Sequence, residues 1–195
     1  MANDLINFPL ASIKLSELNT KSLLDGSESL QIIDGTANKK TTIQNIGEYV
    51  EEQAKGLAQY YMISNSTATT ISAIDTFYKI AGTTLEGVTP SNFSLTDNKA
   101  TFTGNNTTNF KVTAILSLTS GNNQDIHIQI AKNGIVQARS NQEILTGGSG
   151  QAQNLVVKDI FTLATNDYIE IFTANKTSAT NITVVNLNVI IEKLH

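Results

Sequence analysis

Apolar residues recur at every second position through much of the chain from residue 110 onward, and this feature limits what the chain can fold into. In the run 125–130, for example, Ile126, Ile128 and Ile130 alternate with polar residues. A period of two places such residues on one face of a β-strand. We therefore predict strands in the runs 110–118, 125–130, 155–161, 168–172 and 181–194. No helical pattern separates them, which favours an antiparallel sheet fold.

The alternation also predicts which side chains of these strands face the core. In the first run they are Phe110, Val112, Ala114, Leu116 and Leu118. In the third run they are Leu155, Val157 and Phe161, with Asp159 as a polar exception. In the last run they are Val185, Leu187, Val189 and Ile191.

Turn signals divide the chain into short strands. Asn133-Gly134 directly follows one alternating run, and this dipeptide is typical of a two-residue hairpin turn, with residues 135–139 as the returning strand. Weaker strand patterns occupy the runs 60–64, 71–80 and 93–102. The total of about eight to ten short strands is typical of a β-sandwich or barrel.

Composition excludes several classes of function. Charged residues make up 15% of the chain, well below the roughly 25% that is usual for globular proteins. The net charge is −4 and Lys39-Lys40 is the densest basic spot, so a nucleic-acid-binding face is not expected. The chain has no cysteine, which excludes disulfides and thiolate metal sites.

No apolar run approaches the ~20 residues that a membrane-spanning helix needs, so membrane insertion is not expected. The first residues include Asp4 and no apolar stretch, which does not fit a secretory signal peptide. We therefore expect synthesis in a cytoplasm.

The sequence contains no recognisable catalytic constellation. Asp159, Asp167 and Glu170 could in principle supply the carboxylate pair of a glycoside hydrolase, but we interpret them as surface residues beside turns. His127 is predicted to face away from the core, at the surface or at a subunit interface, and His195 stands alone. We therefore predict a protein that is not an enzyme and that has no catalytic residue, no cofactor and no metal site.

Residues 1–59 differ in pattern from residues 60–195, and we predict two parts with this boundary. Two Asp-Gly turns flank a short apolar strand at Leu30–Ile33. A helix is predicted next, because Thr41 and Gln44 fit a capping box. Its apolar stripe consists of Ile43, Ile46, Val50 and Leu57.

This stripe has two interpretations. Isoleucines at both core positions of a heptad favour three-stranded coiled coils, so the helix could form a short trimeric stalk. An amphipathic helix could equally pack on its own domain. The sequence leaves both open.

Two stretches resemble known families. The run 24–50 resembles the short N-terminal or linker modules of phage tail-fibre and head-fibre proteins. The run 110–194 resembles the core of tumour-necrosis-factor-like and complement-type globular heads, through its alternating strands, the Lys-Asn-Gly turn at 132–134 and the turn around Asn166-Asp167. That turn often reads Gly-Asp in the family, and asparagine accepts the same left-handed backbone.

The resemblance implies the fold and the setting. It implies a mainly β, antiparallel jelly-roll sandwich that assembles as a homotrimer, preceded by a small N-terminal α+β segment that anchors it to capsid or tail proteins. The expected function is that of a structural virion protein, either a head fibre or a capsid decoration subunit. The alternative is a tail-fibre adhesin that binds a host-surface receptor or glycan through the loops 103–109 and 173–181.

Overall fold

The computed structural model describes residues 29–34, 37–42, 56–148 and 151–194. The chain divides into two compact units, residues 1–53 and residues 54–195. In the first unit, strands β1 (Ser29–Asp34) and β2 (Ala37–Thr42) form an antiparallel hairpin, which confirms the predicted strand at 30–33. The predicted helix after Thr42 lies outside the described residues.

The second unit, which we call the head, is built from strands. They are β3 (Leu57–Met62), β4 (Tyr78–Lys79), β5 (Leu85–Ser91), β6 (Phe93–Thr96), β7 (Lys99–Phe102), β8 (Thr108–Thr119), β9 (Asp125–Lys132), β10 (Ile135–Val136), β11 (Gln142–Leu145), β12 (Gln153–Leu163), β13 (Tyr168–Asn175) and β14 (Thr183–Lys193). Because β3 begins at Leu57, this strand extends across the predicted boundary between residues 59 and 60. Among the described residues, the helical structure is limited to a 3-10 turn at Ala138–Ser140. No helix among these residues is long and apolar enough to cross a membrane.

The strands of the head form two antiparallel sheets. The five-stranded sheet has the order β12-β8-β14-β3-β5. The seven-stranded sheet has the order β10-β9-β13-β7-β6, with β11 also pairing with β9 and β4 with β13. The predicted antiparallel jelly-roll sandwich is thereby confirmed.

The core lies between the two sheets and is formed by the alternating residues of the long strands. In β8, the five predicted inward residues are all buried, and in β9 Ile126, Ile128 and Ile130 are fully buried. Three phenylalanines join the sheets at one end of the sandwich, with ring centroids 5.0 to 5.4 Å apart. They are Phe93, Phe102 and Phe110.

The predicted hairpin at Asn133-Gly134 is present, with both residues at positive φ (54° and 75°). The returning strand is shorter than the predicted run 135–139, because β10 ends at Val136 and the 3-10 turn follows. The chain then pairs with β9 a second time as β11, which the sequence analysis did not predict.

Val185 is a second correction. A β-bulge between Val184 and Asn186 shifts the alternation of β14, so Val184 rather than Val185 is buried. Leu187, Val189 and Ile191 are buried as predicted. The predicted run 71–80 also differs, because only Tyr78–Lys79 forms a strand there.

The two ends of the head are distinct. At the proximal end, the chain enters the head at Gly56, whose carbonyl accepts a hydrogen bond from the Lys193 amide. At the distal end lie the β3–β4, β8–β9, β11–β12 and β13–β14 connections. The loops 103–109 and 173–181, which were both predicted to offer hydrogen bonds to a glycan, lie at opposite ends of the head.

Candidate functional site

The outward side of the five-stranded sheet carries an unusual number of apolar side chains, and we call it the outer face. In β8, Ile115 is 46% exposed between the buried residues Ala114 and Leu116. In β12, Val156 and Ile160 alternate in the same way with residues that face the core. These three apolar residues occupy positions where a solvated sheet would normally carry polar residues.

The outer face holds most of the large apolar side chains that are exposed in the described part of the chain. Of the eleven large hydrophobic residues that are exposed in the described part of the chain, seven lie on this face or at its border. They are Leu57, Ile63, Leu85, Val88, Ile115, Val156 and Ile160. Single exposed apolar residues are ordinary, whereas a contiguous group marks a surface that binds something.

Strand register explains how residues distant in sequence meet on this face. Val156 pairs with Ile115, Ile115 with Asn188, Asn188 with Tyr61, and Tyr61 with Leu85. These five residues form one row across all five strands. Four of the five are apolar or aromatic, so the row gives the outer face a hydrophobic band from one edge of the sheet to the other.

A groove of about 540 Å³ lies along this band. Its lining includes Tyr61, Ile63, Ile115 and Val156, while the buried Leu116 contributes from below. The groove is wide enough to accept side chains from a partner.

The polar side chains on the outer face are largely bonded to one another. Gln59 Nε2 donates to Asn188 Oδ1 at 2.9 Å, and Asn186 Nδ2 donates to Ser117 Oγ at 2.9 Å. A buried polar group is costly when it has no hydrogen-bond partner. Because these groups already have partners within the sheet, a protein partner can cover them without leaving them unsatisfied.

The carboxylates considered for hydrolysis are not brought together as a pair. Glu170 is paired with Lys79 at 2.7 Å, and Asp159 is paired with Arg139 at 2.5 Å. Asp167 is likewise paired, with Lys132 at 2.8 Å. Each carboxylate thus has its own cation on a different part of the head, an arrangement that serves structure.

Asp167 has a clear structural role at the proximal end. It accepts hydrogen bonds from Asn133 Nδ2 at 2.6 Å and from the Ala164 amide at 2.8 Å. Burial by itself raises the pKa of this carboxyl, but the hydrogen bonds from Asn133, Lys132 and the Ala164 amide outweigh it and lower the pKa to about 2. The predicted turn at Asn166 has the expected positive φ of 71°.

His127 lies on the outward side of the seven-stranded sheet, away from the core as predicted. Its Nδ1 is 3.1 Å from Asn141 Oδ1, and its Nε2 is 3.3 Å from Asp125 Oδ1 and 3.5 Å from Glu143 Oε2. Within residues 56–148 and 151–194, no group of three His, Asp or Glu side chains is arranged to hold a metal ion.

The predicted stalk residues fall into two groups. Ile43, Ile46 and Val50 lie outside the described residues. Leu57 is described, and it lies in β3 rather than in a helix, 41% exposed on the outer face. The alternation of Leu57, Gln59 and Tyr61 with three buried residues is the sequence signal that could have placed Leu57 in a strand.

The similarity of this chain to known proteins is a similarity of fold alone. No family model and no curated protein matches the chain. Among solved structures, the PRD1 vertex protein P5 is 8% identical, with a TM-score of 0.46 over 72% of this chain and 98% of that one. Eiger TNF from S. frugiperda is 10% identical, with a TM-score of 0.45 over 72% and 94%. Murine APRIL at pH 8.0 is 8% identical, with a TM-score of 0.44 over 71% and 99%.

Proposed function

We propose that this chain is a structural virion protein without catalytic activity, a head fibre or capsid decoration subunit whose heads assemble as a homotrimer through the outer face. The observation that carries the proposal is the concentration of exposed apolar side chains on that one face. Removing apolar surface from water contributes roughly 25 cal/mol per Å². Association of identical heads is the simplest way to cover a face that every copy carries.

The virion setting rests on the resemblance of residues 24–50 to phage fibre modules. The polarity of the head fits that setting, because the chain enters at the proximal end and the distal loops lie at the opposite end. Residues 1–53 would then anchor the trimer on the capsid, while the distal loops point outward. Deleting residues 1–53 should abolish incorporation into particles and leave the heads trimeric, as measured by immunoblotting of purified virions and by light scattering.

A single charge on the outer face tests the assembly. Replacing Ile115 by Arg (Ile115→Arg) places a cation in the centre of the proposed interface, where burial of an unpaired charge costs several kcal/mol. We expect the variant to elute from a sizing column as a monomer. The matched control is Ile74→Arg, because Ile74 is 51% exposed in a distal loop away from the outer face. A trimeric Ile115→Arg variant would contradict the proposal.

A second function, attachment to a host glycan, is favoured by the chemistry of the distal loops. Asn175 is fully buried there, and its side chain holds Gln124, Thr177 and Thr180 in place. The loop 173–181 contains a single charged residue, Lys176, which is paired with Asp75. Such a rigid, neutral surface fits a neutral sugar. We expect binding on a glycan array to be insensitive to salt, and a blank array would remove this function.

A further inference from the structure

Two strands, β12 and β5, form the edges of the five-stranded sheet. The backbone groups of an edge strand that point away from the sheet can pair with a strand of another chain. Edge strand β5 is poorly suited to such pairing, because its register with β3 shifts twice and Pro90 lacks an amide proton. Edge strand β12 pairs with β8 in unbroken register along its whole length, so β12 is the edge on which another strand could add.

Two hydrogen bonds show which backbone groups of β12 point away from the sheet. Arg139 Nη2 donates to the Ile160 carbonyl at 2.8 Å. Lys132 Nζ donates to the Thr162 carbonyl, also at 2.8 Å. Neither donor belongs to β8, and the backbone groups of every second residue in a strand point to the same side. The same alternation therefore directs the backbone of three further residues to the edge. They are Asn154, Val156 and Lys158.

The proximal half of this edge, residues 159–163, is closed by side chains. Besides the two donors from outside the strand, Asp159 Oδ1 accepts a hydrogen bond from the Ile160 amide at 2.8 Å. Asp159 Oδ2 is paired with Arg139 at 2.5 Å. The Arg139 guanidinium also lies 5.2 Å from the centre of the Phe161 ring. A strand from another molecule would have to displace these contacts before it could pair with this half.

The distal half of the edge, residues 153–158, lacks such closure. Within residues 56–148 and 151–194, no side chain bonds to the edge-facing backbone of Asn154, Val156 or Lys158. The run Leu155-Val156-Val157 is apolar and rich in β-branched residues, a composition that favours pairing between chains. The backbone of the distal half is therefore able to accept an added strand.

Lys158 opposes such pairing. It is exposed in the middle of β12, and it has no ion-pair partner in the described part of the chain. Lys158 and Asp159 are the only charged residues between Glu143 and Asp167 in the sequence. Because Asp159 is paired with Arg139, Lys158 carries the free charge of the strand. A lysine on an edge strand is a common means of preventing edge-to-edge association.

Every copy of this chain carries the same edge, so β12 of a second head is a possible partner for it. Two antiparallel copies of β12 that pair over their whole length are centred on Lys158, the sixth of eleven residues. The two Lys158 side chains then lie directly opposite each other, and like charges in that position are unfavourable. The same pairing places Val156 against Ile160 of the other copy, whose backbone is already bonded to Arg139 and Asp159.

We propose that Lys158 and the Arg139–Asp159 pair together prevent β12 from pairing with β12 of another copy, so that heads associate through the outer face and not through the edge of the sheet. This inference rests on the association of heads in the proposed function and adds the residues that make it specific. Copies anchored on one particle are held at a high local concentration, where edge pairing would link neighbouring trimers.

Removing both protections tests the proposal. We expect full-length Lys158→Val/Arg139→Ala to associate edge to edge, so that its weight-average mass in sedimentation velocity rises about twofold or more above that of the wild type at equal concentration. Each single variant should give a smaller rise. The matched control is Lys158→Glu/Arg139→Ala, which loses the same arginine but places two carboxylates opposite each other, and it should keep the wild-type mass.

Hydrogen exchange distinguishes edge pairing from aggregation of unfolded chains. The edge-facing amides of Asn154 and Val156 should exchange rapidly in the wild type and about tenfold more slowly, or slower still, in Lys158→Val/Arg139→Ala. The amides of β8 should stay protected in both proteins, because they lie inside the sheet. Slow exchange of Asn154 and Val156 in the wild type would overturn the proposal, since it would mean that the edge is already paired.

The outcomes separate this inference from the proposed function. A trimeric wild type whose double variant keeps the same mass and the same rapid exchange would overturn the protected edge and leave the homotrimer intact. A monomeric wild type whose double variant associates with slowed exchange at Asn154 and Val156 would overturn the homotrimer and support the protected edge.

Discussion

Asparagine and aspartate side chains fix the turns of this head through individual hydrogen bonds. Asn133 adopts a positive φ of 54°, and its Oδ1 accepts from the Tyr168 amide while its Nδ2 donates to Asp167. One residue thus closes the β9–β10 hairpin and joins it to the turn before β13. This use of short polar side chains explains how a chain with few charges holds its proximal end together.

The lowered pKa of Asp167 makes this end sensitive to acid. A carboxylate with a folded pKa of about 2, below its ordinary pKa of 3.8, stabilises the fold above pH 3.8 and loses that contribution as the pH falls towards 2. We expect Asp167→Asn to lower the free energy of unfolding by about 2 kcal/mol at pH 7 and by much less near pH 2. Urea unfolding at both pH values, at one protein concentration, measures this. An equal loss at both would contradict the assignment.

At the scale of the element, the phenylalanine cluster stabilises the contact between the sheets. Phe93 and Phe102 come from β6 and β7, while Phe110 comes from β8 of the other sheet. Gly104 lies directly above this cluster, because a Cβ there would be 2.5 Å from Phe102 Cζ. The ring is buried and cannot move away without disturbing the cluster.

Gly104→Ala should therefore overpack the proximal end. We expect it to lower the free energy of unfolding by about 1–3 kcal/mol. Gly147→Ala is the matched control, since a Cβ there would have its nearest neighbour at 3.4 Å. Thermal unfolding of both variants measures the difference. Equal unfolding midpoints would contradict the prediction, because they would show that the Phe102 ring moves aside without a loss of stability.

Strand patterns predicted the long elements well and the irregular ones poorly. The inward residues of β8 and β9 follow directly from alternation, because both strands are regular and buried on one face. The bulge before Asn186 breaks the same rule, and no local signal in the sequence marks it. Strand β5 was missed because Gly87 and Pro90 obscure its pattern, although it pairs with β3.

The outer face was also beyond the sequence analysis, for a physical reason. Its side chains occupy positions that alternation assigns to solvent, and alternation gives no reason to group Ile115, Val156 and Ile160. Only strand pairing brings them together with Tyr61 and Leu85, from distant parts of the chain. Leu57, by contrast, was singled out for assembly from its place in a predicted helical stripe, and it lies on the outer face as part of a strand.

At the scale of the whole molecule, the head has a direction. The chain enters at the proximal end, a band of largely apolar side chains crosses the outer face, and loops with little net charge occupy the distal end. Three copies around an axis along the strands would hide the outer faces from water and leave all distal loops at one end. The proposed role in a virion depends on this assembly, because a single head would leave the apolar face exposed.

The mass of the full-length protein in solution tests this account most directly. Sedimentation equilibrium at micromolar concentration should give one species of three times the chain mass of 21.0 kDa. A species of 21.0 kDa under the same conditions would contradict the account, because it would mean that the outer face stays in contact with water.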